Sequence, residues 1–322
     1  MTDSRLVSRV MNDVGQVARR RTLVERGLTT TQIRSAVASG LLTELKRGWI
    51  VSSLADADQR RAVEAGAKIG CVSALRRWGV WSGDGNALHL HARPSSHPDL
   101  AATRPVANVR VVAHPGVPAA KASKLEIRPC EPGMPTLRWR RQDFPERSLD
   151  WIVSPHDALA QAILCQSEEQ ALACIDSALH EHAISHADWP RILSTLPERI
   201  RYLDRWKDAR AGSGNESRVR FRLQRLGLDV ELQVYIPGVG WVDMLVEDLV
   251  AVEADGDQFH STRAQRATDR ARTLTAMALG VPTVRLGSEH LGDDWPLVVA
   301  ALLQQLADAR ILREHRGPLG GG

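Results

Sequence analysis

The chain has 322 residues, 43% of them hydrophobic and 25% charged, which is length and apolar content for about two cored domains and excludes wholesale disorder. No run approaches the ~18 consecutive apolar residues of a membrane helix, and residues 1–16 lack the apolar core of a signal peptide, so a soluble cytoplasmic protein with no membrane partner is expected. Cys71, Cys130, Cys165 and Cys174 include no CxxC pair, which argues for a reduced compartment and against a disulfide scaffold or zinc knuckle. The net charge of +4 is unevenly placed: residues 1–53 carry 9 basic and 4 acidic side chains, residues 214–322 carry 12 and 15. A basic head on an acidic tail implies that the two ends do different work.

Three segments follow from composition: residues 1–53, residues 54–209, and a third after the small-residue run Ala211, Gly212, Ser213, Gly214, which reads as a flexible boundary at about 210. Residues 317–322 are too poor in apolar side chains to order themselves and read as a disordered tail. In the first segment, residues 15–25 read as a helix with Val17, Leu23 and Val24 apolar and Arg19, Arg20 and Arg21 between them, stopped by Gly27. Thr29–Thr31 offer a hydroxyl cap for a second helix over residues 32–39, whose Ile33, Ala36 and Val37 share one face while Gln32, Arg34 and Ser35 point elsewhere. Residues 41–45 and 48–51, joined through Lys46 and Arg47, read as a small hairpin.

The run GLTTTQIRSAVASGLLTELKRGWIV resembles the N-terminal domain of AbiEi-type antitoxins, a winged helix-turn-helix. That resemblance implies a duplex-DNA-binding, often autoregulatory module. Gln32, Arg34 and Ser35 would face the major groove, and Arg19, Arg20, Arg21, Lys46 and Arg47 would meet phosphates. A homodimer or a toxin-like partner protein is compatible with it.

The middle segment alternates like strands over residues 87–92 and 108–113 and reads as helical over residues 155–165 and 168–182, an α+β pattern similar to the region that follows the winged helix in AbiEi-like fusions. His180, His182 and His186 fail the HExxH pattern because Ile184 stands at its second histidine; they, and His89 and His91, read as surface histidines.

The third segment carries the sharpest pattern. A helix over residues 216–226 precedes strand-like runs at 228–236, 241–246 and 249–255, a helix at about 263–279, and a strand at 281–286. Alternation puts Val230, Leu232, Val234 and Ile236 on one face of the first strand. Asp243 interrupts an apolar strand, and Glu253 and Asp255, two apart, share a face of the next. Carboxylates in such places are costly to bury unless paired or bound to a cation, and oxygen ligands suit Mg²⁺, with Mn²⁺ as a substitute.

The order αβββαβ is that of the PD-(D/E)XK, restriction-endonuclease-like core, which makes the expected class multi-domain α/β. VEADGDQFH, ESRVRFRLQRLG, GWVDMLVE and RATDRARTLTAMALGVPTVRL further resemble successive motifs of the Vsr-like endonucleases over about a hundred residues. Carried over, the resemblance makes Asp243, Glu253 and Asp255 metal ligands, Glu216 an accessory acid, His260 an acid–base group, and Arg266 and Arg270 phosphate contacts. Asp255 stands where the wider superfamily has lysine. The function expected is metal-dependent phosphodiester hydrolysis in DNA; the competing expectation is a non-catalytic, antitoxin-like DNA-binding regulator with a degenerate nuclease fold.

Overall fold

The computed structural model describes residues 4–45, 48–83, 85, 87–92, 110–113, 136–139, 143–254 and 263–316. Lys46, Arg47, Asp255, His260 and the tail at 317–322 lie outside them. The chain is mixed helix and sheet and divides into two units: residues 1–167 with 183–201, and residues 168–182 with 202–322. The middle segment of the sequence reading is thus shared between them.

The first unit opens with α1 (Ser4–Asp13), β1 (Val17–Arg19), α2 (Arg20–Glu25), α3 (Thr30–Ala38), β2 (Leu42–Leu45) and β3 (Trp49–Ser52). The helix expected over residues 15–25 is instead a strand followed by a short helix. Gly15 and Gln16, at φ 70° and 71°, turn the chain out of α1, and Val17 and Ala18 then pair with Val51 and Ile50 and are fully buried. Three residues are too few for periodicity to tell strand from helix. The sheet order is β1-β3-β2, both pairs antiparallel, and its core joins Val7, Val10, Met11, Leu23, Leu28, Ile33 and Ile50. Thr29 caps α3 as expected, with Gln32 completing a reciprocal capping box.

This region continues directly into the rest of the unit. Trp151 Nε1 donates to the Val14 carbonyl at 2.9 Å, and a Cβ on Gly15 would stand 2.8 Å from the Trp151 ring, so only glycine admits the indole. The unit then adds α4 (Ala57–Glu64), β4 (Lys68–Ile69), α5 (Cys71–Arg77), β5 (His89–Ala92), β6 (Arg110–Ala113), β7 (Thr136–Trp139) and α6 (Pro155–Cys165). The strands form a second sheet, ordered β4-β5-β7-β6. After α7 (Glu168–His180), which belongs to the second unit, the chain returns for α8 (Trp189–Ser194) and α9 (Glu198–Arg201).

The second unit continues with α10 (Gly214–Arg225), β8 (Val230–Ile236), β9 (Gly240–Val246), β10 (Val250–Ala254), α11 (Arg263–Ala278), β11 (Thr283–Leu286) and α12 (Trp295–Arg316). The sheet order is β11-β10-β9-β8; β8, β9 and β10 pair antiparallel, and β11 returns parallel to β10 after α11. The small-residue run is packed rather than flexible: Ala211 is buried in the unit's core and Ser213 caps α10. α12 is long and apolar enough to cross a membrane by length and composition alone. Its Val298, Leu302, Leu306 and Ala309 recur at helical spacing and lie in the same core as Met244 and Val252, while Leu297, Leu303, Ile311 and Leu312 are exposed.

β8 departs from the alternation read in the sequence. Val230, Leu232, Met244 and Val246 pack in the core with α10 and α12, whereas Val234, Ile236 and Val242 pack with Ala251 and with Ala276 of α11. Residues two apart should stay on one face, so the faces exchange partway along the hairpin. The exchange falls at Gln233, whose φ is 54°, and at Asp243, which the flanking pairs Leu232↔Met244 and Val234↔Val242 place opposite it.

Candidate active site

Asp243 owes its position to that exchange and to the end of the β9–β10 ladder. Paired residues run from Val250↔Val246 to Val252↔Met244. One step further the register sets Glu253 opposite Asp243, and Asp243 Oδ2 accepts from the Ala254 N–H at 2.9 Å, closing the strand end with a side chain. Asp243 is half-buried.

Glu253 is 14% exposed at its side chain and faces two arginines. Arg285, its register partner on β11, places Nε 3.0 Å from Oε2, and Arg272 of α11 places Nη2 3.4 Å from Oε1. Arg272 is itself held by two carbonyls, Nε donating to Val239 at 3.1 Å and Nη2 to Trp241 at 2.6 Å. Gln233, Asp243, Glu253 and Arg285 therefore form one row across the four strands, with Arg272 above it from α11.

Glu216, expected as an accessory acid, is engaged by its neighbours. It is buried, its N–H donates to the capping Ser213 Oγ at 3.1 Å, and its Oε2 accepts from Gly212 N–H at 2.8 Å and from Gln233 Nε2 at 3.0 Å. Burial holds its carboxyl above the ordinary carboxylate range, against the pull of those hydrogen bonds. It acts on the row by fixing Gln233. Gln233, Arg272 and Arg285 are absent from the sequence reading. A glutamine in an alternating strand carries no chemical signature, and an arginine becomes a partner of Glu253 only once β11 is laid beside β10.

Of the remaining expected residues, Asp255 and His260 lie outside the described residues, as do the side chains of Arg266 and Arg270, whose backbone belongs to α11. In the first unit, Arg21, Arg34 and Ser35 are exposed on α2 and α3. Arg20 pairs with Glu44 at 2.6 Å, Arg19 stacks 4.1 Å from the Trp49 ring, and the Gln32 amide oxygen accepts from the Thr29 N–H at 2.8 Å. Those three side chains make contacts within the first unit. Lys46 and Arg47 lie outside the described residues.

His180, His182 and His186 are exposed, as read, but His89 and His91 are each 2% exposed. With β5 inside the first unit, His89 approaches Cys71 and Cys165 closely enough for the three to hold a metal ion, a grouping that sequence spacing conceals. A scan against protein-family models finds no match, and no curated protein matches the chain.

Proposed function

We propose that the chain is a metal-dependent DNA endonuclease: a Vsr-like, restriction-endonuclease-like domain in the second unit, aimed at duplex DNA by an AbiEi-like winged helix at the start of the first. The observation that carries the reading is Asp243 set opposite Glu253 where the β9–β10 ladder ends, within an αβββαβ order. Two carboxylates on neighbouring strands are hard oxygen donors, the chemistry that Mg²⁺ or Mn²⁺ takes. Such an ion would be held by Asp243 and Glu253, with Asp255 added by the resemblance, and when bound it supplies Lewis-acid polarisation of a phosphate oxygen.

The chain's own residues supply the rest. Asp243 is positioned by its bond to Ala254 N–H, so its carboxylate needs no reorganisation when substrate arrives. Arg272 and Arg285 sit on Glu253 and can pass their guanidinium hydrogen bonds to phosphate oxygens, for which a planar fork is suited. Glu216 and Gln233 hold the hairpin at its irregular point. His260, by resemblance, would carry the proton to the leaving oxygen. On the first unit, exposed Arg34 and Arg21 are the side chains best placed to meet DNA.

One observation favours the non-catalytic DNA-binding regulator instead: among the described residues Glu253 already has two cationic partners, Arg272 and Arg285. Cleavage of supercoiled plasmid by the full chain with Mg²⁺ or Mn²⁺ separates the two. Wild-type protein should nick or cut, and Glu253→Gln should lose at least about 100-fold in rate. Plasmid that stays intact with wild-type protein while duplex DNA is still bound would establish the regulator.

A further inference from the structure

We propose that Cys71, His89 and Cys165 form a zinc site in the first unit. Their ligand atoms lie within 4.8 Å of one another, and Cys165 Sγ is 3.7 Å from His89 Nδ1. Tetrahedral zinc with its usual Zn–S and Zn–N bonds spans an S···N edge of about 3.6 Å, so the donors stand almost at coordination distance. Two thiolates and an imidazole are soft and borderline donors, which select zinc over magnesium.

The surroundings are built to hold this geometry. Cys71 opens α5, His89 opens β5 and Cys165 ends α6, so an ion would fasten three elements at one point. Gln161, one turn before Cys165 on α6, accepts from the Cys71 N–H at 2.9 Å and hydrogen-bonds His91 Nδ1 at 3.1 Å. Ser73 Oγ accepts from the His89 N–H at 2.9 Å and donates to the Ala87 carbonyl at 3.0 Å. These bonds fix the backbone at Cys71 and His89, so the elements that carry two of the ligands are held in place. A Cβ on Gly70 would stand 2.7 Å from Gln161 Oε1 and 2.9 Å from His91 Cβ, so the close approach of α5 to β5 and α6 depends on glycine.

Cys71 itself sits at φ 53°, a left-handed conformation that a side-chain-bearing residue adopts at a cost and keeps where function holds it. Cys71 is fully buried and His89 nearly so, while Cys165 is half-buried, so solvent reaches the cluster from the Cys165 side. The described residues supply three of the four donors that tetrahedral zinc takes. Binding converts both thiols to thiolates and releases their protons, so affinity falls as pH is lowered.

The test uses the full reduced chain, stripped with a chelator and titrated with Co²⁺ alone. Thiolate-to-cobalt charge-transfer absorption should saturate at one ion per chain and be bleached by Zn²⁺. It should vanish in Cys165→Ser and persist in Glu253→Gln, because oxygen ligands give no such band. On unmutated protein, saturating Zn²⁺ should slow alkylation of Cys165 by at least about 10-fold. Absence of the band in wild type, its survival in Cys165→Ser, or equal alkylation with and without zinc would each overturn the site. Should Cys165→Ser fail to fold, the alkylation of wild type decides alone.

Discussion

Replacing Asp176 by alanine should be among the most damaging single changes in the second unit. Asp176 of α7 and Arg220 of α10 are 0% and 2% exposed, with Nη2 and Oδ2 2.7 Å apart. Asp176 Oδ1 also accepts from the Asp208 N–H at 2.8 Å, and Arg220 Nη1 donates to Gln224 at 3.0 Å. Alanine removes a charge-assisted bond and a backbone bond and strands a guanidinium in the core. A broken buried pair of this kind costs about 3–5 kcal/mol. By contrast Asp176→Leu with Arg220→Met removes both charges and should fall within about 1 kcal/mol of wild type, because desolvating the pair offsets most of its attraction. Urea unfolding of the full chain at pH 7, with hydrogen exchange over α7 and α10 to localise the loss, reads both variants. Burial pushes the Asp176 carboxyl up to about 6, against the pull of Arg220. The folded state then holds the proton more tightly than the unfolded one, a contribution complete below the ordinary 3.8 and lost as pH rises to about 6. Asp176→Asn should therefore gain on wild type across that window. A single variant no less stable than the double one would show that the pair does not fasten α7 to α10.

Two further outcomes follow from buried contacts. Glu216 is raised from its ordinary 4.5 by burial, so its contribution to stability is full below that value and fades above it; Glu216→Gln should gain on wild type as pH rises above 4.5 in parallel urea titrations. Trp151→Ala should cost about 3–5 kcal/mol by emptying the space beside Gly15, and hydrogen exchange should accelerate at the end of α1 and in β1.

What could be read from the sequence depended on the range over which each signal acts. The Thr29–Gln32 cap is a contact three residues long between side chains of known preference, and the helix it starts is where the pattern put it. The αβββαβ order was legible because each element is long enough to show a period. β1 was not, since Val17, Ala18 and Arg19 become a strand only by pairing with residues 49–51. Alternation in β8 failed at one residue, because a positive φ at Gln233 rotates everything after it and polar character says nothing about φ. Glu168–His182 read as part of the middle segment, yet Asp176 and Glu169 tie α7 to α10 through Arg220, Arg218 and Arg222. The Cys71, His89 and Cys165 grouping joins the ends of three elements and has no local spacing to betray it.

The described row changes the case for a metal ion. Mutual repulsion among three carboxylates was the sequence argument for a cation; among the described residues Glu253 already faces Arg272 and Arg285, while Asp255 lies outside them. The row has the capacity for exchange. An ion alone would take the carboxylates and leave two guanidiniums without their counter-charge; a phosphodiester alone would take the guanidiniums and leave the carboxylates facing a like charge. Together they offer each group a new partner of the right sign, so on the reading proposed here each favours binding of the other by the same factor. Arg285 is fixed in that role by parallel pairing with Glu253, and Arg272 by the carbonyls of Val239 and Trp241. On the proposed function, the two arginines that the sequence pattern passed over are the ones that decide whether the acids it singled out can do chemistry.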